Sequence, residues 1–293
     1  MTASRLLAAL RRYAAAAPDR TAVTDGTVAL TYAALADAVE RTADALRAAR
    51  VHRLGMALDN GPVWVIADLA AARAGVVAVP LPQYFTAAQR AHALVDAGVT
   101  HVLDAPRDDG GASLTVAGVQ CTLRAVAPEG TAVLPPGTAK VTYTSGTTGA
   151  PKGVCLSLAH QEAVAAALAD AAGFSPDDRH LCVLPLATLL ENVAGVYAPL
   201  LAGASCAVPS LATLGLSGSS GLDASAFAAA IGAWQPTTAI LIPQMLQALT
   251  AAAEQGIELP RSLRFVAVGG ARVAPELLAR AAAVGLPVYQ GYG

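Results

Sequence analysis

The sequence predicts an α/β fold, and three observations carry that expectation. Short apolar runs of strand length alternate with Ala-rich, helix-length segments along almost the whole chain, the pattern of parallel strands joined by helical crossovers. The chain has 293 residues, 55% hydrophobic and 14% charged, which suits a large buried core and excludes intrinsic disorder. The most apolar region, 193–253, holds Asp223 as its sole charged residue. Pro199, Gly203, Pro209, Gly215, Pro236 and Pro243 interrupt it. It therefore reads as short buried strands and helices, not as a membrane span of about 20 apolar residues.

Taken in order, Leu6, Leu7, Leu10 and Tyr13 repeat at helical spacing and predict a surface helix closed by Pro18. The run MALDN (56–60) predicts a strand, followed by a helix from Pro62 to about Ala74. VVAVP (76–80) predicts the next strand, with a helix over 86–96 and then the strand THVLD (100–104). RHLCVLP (179–185), TTAILIP (237–243) and RFVAVGG (264–270) repeat the strand pattern, and a further strand is expected near 287–290. Gly- and Pro-rich stretches at 105–113, 127–138 and 215–221 predict loops. A division into subdomains is expected near 130–138.

Charge and composition narrow the function. A net charge of −2 argues against a nucleic-acid partner, which needs a basic face for phosphates. The first 20 residues lack the arrangement of a secretion signal, because Arg5, Arg11 and Arg12 straddle the apolar stretch. The four cysteines are far apart and form no CxxC pair, so reduced core thiols and a cytoplasmic location are expected. The five histidines show no HxxxH or HExxH spacing, and no metal-ligating residues are assigned. A mean hydropathy of +0.50 leaves peripheral contact with a membrane surface open.

The segment AKVTYTSGTTGAPKGVCLSL (139–158) carries the chemistry. A strand-like entry leads into a loop bearing Thr144, Ser145, Thr147 and Thr148, with Gly146 and Gly149 between them and Lys152 after them. Hydroxyls, backbone amides freed of a neighbouring Cβ, and one mobile ammonium suit a polyphosphate. The GxxxxGK[ST] spacing of the common nucleotide loop is absent, and the residues after Lys152 read as a strand, so no helix dipole is expected at the phosphates.

YTSGTTGAPKG resembles the signature of the AMP-forming adenylating enzymes, which include acyl-CoA synthetases, peptide-synthetase adenylation domains and luciferases. Other elements agree in order: LTYAAL (30–35), ARAGVVAVPL (72–81), LPLATLLEN (184–192), VGGARV (268–273) and YQGYG (289–293). The LPLATLLEN element is similar to one in long-chain acyl-CoA synthetases. The resemblance implies a multilayered αβαβα large N-terminal domain. It also implies ATP with Mg²⁺, a carboxylic acid and coenzyme A as reactants: the acid is adenylated with release of pyrophosphate, then passed to a thiol. By resemblance, Thr144, Ser145, Gly146, Thr147, Thr148, Gly149 and Lys152 hold phosphates, Thr144 and Lys152 being the catalytic candidates. Gly269, Gly270 and Ala271 frame adenine and Tyr292 stacks on it. A Gly-Gly pair also serves a plain strand-to-helix turn, and an aromatic residue also serves a core.

For the acyl group, the resemblance points to Thr188, Glu191, Asn192, Pro243, Gln244, Met245 and Gly291, with the stretch Asn192–Val196 and Ile242 beside them. Thr188 stands where relatives carry a histidine that gates the acyl pocket. Glu191 matches a family glutamate, and a helix-surface carboxylate reads equally well. No charge in these segments matches a substrate amine, and Met245 with Ile242 suits a hydrocarbon, so a fatty acid is expected, with ordinary core packing as the alternative. The chain stops at Gly293, inside the element that continues in the family toward a Thr and Glu at the α-phosphate and Mg²⁺. The expectation is therefore an incomplete adenylating domain, without the C-terminal domain, inactive alone and prone to self-association through uncovered apolar surface. An acid ligase serving a carrier protein, an amino-acid adenylation domain, and a non-catalytic nucleotide- or acyl-binding protein are the alternatives.

Overall fold

The computed structural model describes residues 4–106, 111–127, 132–144, 151–218 and 221–291. Two seven-stranded sheets organise them. The first runs, edge to edge, Ala112–Val116, Val119–Ala125, His101–Asp104, Arg53–Ala57, Val77–Pro80, Thr138–Thr144 and Lys152–Ser157. The second runs Val288–Gln290, Phe265–Val268, Thr238–Leu241, Arg179–Leu181, Ser205–Ala207, Thr21–Thr24 and Ala29–Thr31. Each has a parallel centre; antiparallel pairs lie toward both edges of the first sheet and at the Ala29–Thr31 edge of the second, whose Val288–Gln290 edge is parallel. The expected parallel sheet is thus two mixed sheets, because hairpins at 21–31, 112–125 and 138–157 add antiparallel strands to the βαβ units.

Period-two alternation along the strands assigns the layers. In Arg53–Ala57, Leu54 and Met56 join the core between the sheets, while Ala57 packs on the opposite face with Val79, Leu81 and Ala93. In the second sheet Cys182 and Cys206 face the inner core, and Leu181, Val183 and Ala207 face outward. The inner layer contains helix Pro62–Ala74, which is buried on nearly every side, as expected for a helix covered all round. Helix Ala87–Asp96 covers the outer face of the first sheet through Ala93. Helices Ala224–Trp234, Pro243–Glu254 and Pro275–Ala283 cover the outer face of the second. This is the αβαβα arrangement.

Local signals explain several boundaries. Helix Arg5–Ala16 begins at the N-cap Ser4, whose hydroxyl accepts from Leu7 N. Glu162, from helix Leu158–Ala171, adds a distant cap by accepting from the Arg5 and Leu6 amides, and its carboxylate favours that helix N-terminus. Helix Ala87–Asp96 opens on a capping box of Thr86 and Gln89. Pro62 occupies the first turn of its helix and left-handed Gly75 ends it.

The elements differ from expectation in detail. The stretch 105–113 runs into strand Ala112–Val116, and the loop expected at 215–221 carries short strands Leu216–Ser217 and Gly221–Leu222, paired antiparallel. RHLCVLP is a strand only over Arg179–Leu181. The strand beyond 130–138 joins the same sheet as those before it, Lys140 pairing with Ala78, so a boundary there would cut through a sheet. All four cysteines are free thiols, three of them buried. Among the described residues no helix is long and apolar enough to cross a membrane.

Candidate active site

Several of the candidate residues lie at the carboxyl ends of parallel strands, where open α/β sheets bind ligands. Thr144 ends strand Thr138–Thr144, and Lys152 opens the returning strand directly opposite it. Both are exposed, leaving one hydroxyl and one ammonium available to a ligand. The return is a strand, as the sequence predicts. Ser145, Gly146, Thr147, Thr148 and Gly149 lie outside the described residues, as does Tyr292.

At the ends of Phe265–Val268 and Val288–Gln290 a second group forms. The Gly269 amide donates to Leu241 O at 3.1 Å and the Gly291 amide to Val268 O at 2.9 Å. Gly270 has φ +80°, a left-handed conformation that favours glycine. A side chain on Gly270 would lie 3.5 Å from Ile242 Cγ2, so the glycine turn adjoins Ile242, and Ala271 follows on the surface.

Ile242 also lines a cavity of about 280 Å³ together with Tyr84, Leu184, Pro185, Thr188, Leu190, Leu211, Leu216, Gly218, Gly221, Leu222, Gln244 and Met245. Among the described residues, none that lines it carries a formal charge. The Thr188 hydroxyl donates to Pro185 O at 2.7 Å, closing the turn between strand and helix. Of the residues expected at the acyl group, the structure places Thr188, Gln244, Met245 and Ile242 in this wall. Pro243 starts helix Pro243–Glu254 and Gly291 follows the last strand, and neither is a lining residue.

Glu191 and Asn192 require correction. They are 0% and 1% exposed and lie in the layer between the sheets. The chain there winds as a π-helix over Glu191–Tyr197, with the Ala198 amide bonded five residues back to Val193 O. Glu191 Oε1 is 3.2 Å from His180 Nε2, and Oε2 accepts from Leu184 N at 3.1 Å. His180 Nδ1 is 2.9 Å from Thr238 Oγ1. With Cys182, these residues place three potential ligand atoms within 4.8 Å of one another. Burial and Glu191 push the Cys182 thiol upward, and the histidine and carboxylate already bond each other.

Asn192 turns to the other sheet. Lys140 Nζ bonds Asn192 Oδ1, lies 2.8 Å from Asp68 Oδ1, and reaches Tyr197 Oη at 3.1 Å. Tyr197 Oη donates to Asp68 Oδ2 at 2.7 Å, and Asn192 Nδ2 donates to the same oxygen at 3.0 Å. Burial lowers the Lys140 pKa, against the opposing pull of Asp68. Sequence reasoning misses Lys140, because one lysine in a strand entering a loop reads as surface. It misses Tyr84 too, although an aromatic pair just beyond strand Val77–Pro80 was a usable signal.

An exposed hydroxyl and ammonium, a glycine turn and an uncharged cavity are the features the structure places at the ends of these strands. The chain matches the AMP-binding enzyme family over residues 10–293, and it belongs to that family. It is 32% identical to the feruloyl-CoA synthase of an Amycolatopsis species over 298 residues, covering 96% of this chain and 57% of the relative. It is also 32% identical to a Mycobacterium tuberculosis 3-[(3aS,4S,7aS)-7a-methyl-1,5-dioxo-octahydro-1H-inden-4-yl]propanoyl:CoA ligase, covering 68% of this chain and 45% of that one. The AMP complex of the Bacillus subtilis O-succinylbenzoate coenzyme A synthetase superimposes with a TM-score of 0.76 at 26% identity, over 97% of this chain and 73% of that one. An anthranilate CoA ligase bound to anthranoyl-AMP shares the fold, with a TM-score of 0.80 at 17% identity, over 98% and 58%. The chain thus spans little more than half the length of the feruloyl-CoA synthase.

Proposed function

We propose that this chain is the nucleotide- and acid-binding part of an AMP-forming CoA ligase acting on a compact, ring-bearing carboxylic acid. The observation that carries the reading is the cavity. It is apolar, lacks a charged wall residue among the described residues, adjoins the glycine turn through Ile242, and at about 280 Å³ lies near the lower end of ligand-pocket sizes. Relatives described above are named for feruloyl, succinylbenzoate and fused-ring propanoyl substrates. Small volume and those names favour a ring over the fatty acid expected from the sequence.

In this reading the acid lies in the cavity with its carboxylate toward the strand ends. A carboxylate oxygen attacks the α-phosphorus of ATP and pyrophosphate departs. The sulfur of coenzyme A then attacks the acyl carbon and AMP departs. Both early reactants are anions, so the chain's contribution is positioning and charge neutralisation. Lys152 supplies a point charge to the distal phosphates, and the backbone of Gly269–Ala271 edges the adenine. ATP enters as its magnesium complex, for which the exposed Thr144 hydroxyl is a fitting hard oxygen donor.

The test is carboxylate-dependent ATP–pyrophosphate exchange by the full-length protein, with ferulate, 2-succinylbenzoate and a long-chain fatty acid compared. Ring acids should support exchange. Preference for the fatty acid would overturn the substrate class, and absence of exchange with every acid would favour a binding protein.

A further inference from the structure

Helix Ala87–Asp96 holds both stems of the 144–152 hairpin from the outer face. On the outgoing stem, Tyr143 Oη lies 2.7 Å from Asp96 Oδ2 and 3.2 Å from Ala93 O. On the returning stem, His92 Nε2 lies 3.0 Å from Pro151 O. A carbonyl oxygen only accepts, so Nε2 must carry the proton and donate it. His92 and Asp96 are four residues apart and share one helix face. The His92 and Tyr143 rings meet edge-on at 6.3 Å. Between the two grips Gly153 passes close to the helix: a Cβ there would lie 3.2 Å from Asp96 Oδ2 and 3.0 Å from Val141 Cγ1. Tyr143 and Pro151 are the immediate neighbours of Thr144 and Lys152, so the two grips fix the backbone on which both groups stand.

We propose that His92 and Asp96 are positioning residues for the nucleotide's distal phosphates, acting through Pro151 and Tyr143 to hold Lys152 opposite Thr144. This deepens the function proposed above and rests on it. Neither residue lines the cavity, so their effect is on ATP and not on the acid. Neither touches the glycine turn at 269–271 by any described contact, so AMP, which lacks the distal phosphates, is spared.

The experiment is calorimetric binding of Mg·ATP, AMP and ferulate to the full-length protein and its variants, with a thermal melt of each. His92→Ala should weaken ATP about tenfold, the worth of one such hydrogen bond, while AMP and ferulate change by less than about twofold. His92→Gln, which keeps an N–H donor, should recover most of the loss. Tyr143→Phe should repeat the ATP-selective pattern and decides the matter should His92→Ala fail to fold. Equal weakening of all three ligands in step with a lowered melting point would reduce the helix to a structural brace and overturn the proposal. Unchanged ATP affinity in both variants would overturn it as well. A wild-type chain that binds neither nucleotide would overturn the proposed function itself, and this inference with it.

Discussion

Lys140 and Asp68 form an ion pair of 2.8 Å in which the side chains are 3% and 1% exposed, tying the strand that leads to Thr144 to the inner helix Pro62–Ala74. Two charges taken out of water at such a depth are tolerated only because each is further bonded, here through Asn192 and Tyr197. Removing one partner therefore leaves an uncompensated charge in the core.

Lys140→Met should destabilise the chain by about 3–5 kcal/mol, the usual result of breaking a buried pair from one side. Adding Asp68→Asn should restore a large part of that loss, because the stranded carboxylate is gone. Denaturant unfolding of the single and double variants checks this; equal stability of the two would contradict it.

Gly195→Ala should cost roughly 1–3 kcal/mol. A Cβ at 195 would overlap Glu191 Oε1 and come within 2.9 Å of His180 Nε2, and both groups are pinned by other bonds. The measurement is the thermal midpoint, and an unshifted value would mean that the Glu191 carboxylate has room to move.

Acid should loosen the second sheet at Asp178. Burial works to raise this carboxyl, but the Arg264 guanidinium, the Ser175 amide and the Thr237 hydroxyl outweigh it and hold its pKa at about 2. Its ordinary value is about 3.9. A depressed folded pKa contributes stability that is complete above the unfolded value and is lost as pH falls toward the folded one. That loss should fall between about pH 4 and about pH 2. Asp178→Asn should flatten that part of the stability–pH curve, and an unchanged slope would show the linkage to lie elsewhere.

Lys152→Ala in the full-length protein should raise the KM for ATP by about tenfold or more, the scale of one charge-assisted contact, with the KM for the acid nearly constant. Steady-state kinetics with each substrate varied separately checks the split. A changed preference among acids would place Lys152 at the cavity instead.

Much of the fold was legible because periodicity and punctuation agree: the helix from Pro62 to Ala74 is observed with those limits, set by Pro62 and Gly75. The strand after Lys152 was legible from its apolar run, whereas the register that sets Thr144 opposite Lys152 was not. What stayed hidden depends on distance along the chain. Asp68, Lys140, Asn192 and Tyr197 carry no shared spacing, and only the stacking of two sheets on one inner layer brings them together. Glu191 and Asn192 looked like site residues because they follow the LPL element directly. The π-helical winding turns them inward, and a residue-by-residue resemblance has no means of showing that rotation.

That winding also marks the place where the segment carries one residue more than its neighbours need. Glu191 faces one sheet, Asn192 the other, and Tyr197 returns to Asp68, so three anchor points are spaced for a turn that holds one residue more than an α-helix. Deleting Ala194 would let the segment relax to ordinary α-winding with Glu191 and Tyr197 at nearly their present angles, because a π-turn is an α-helix carrying one inserted residue. Chains of this kind should therefore differ here by a single residue more readily than by two, and keep a glycine where the backbone passes the Glu191 carboxylate, the extra residue acting as a removable link between the two halves of the molecule.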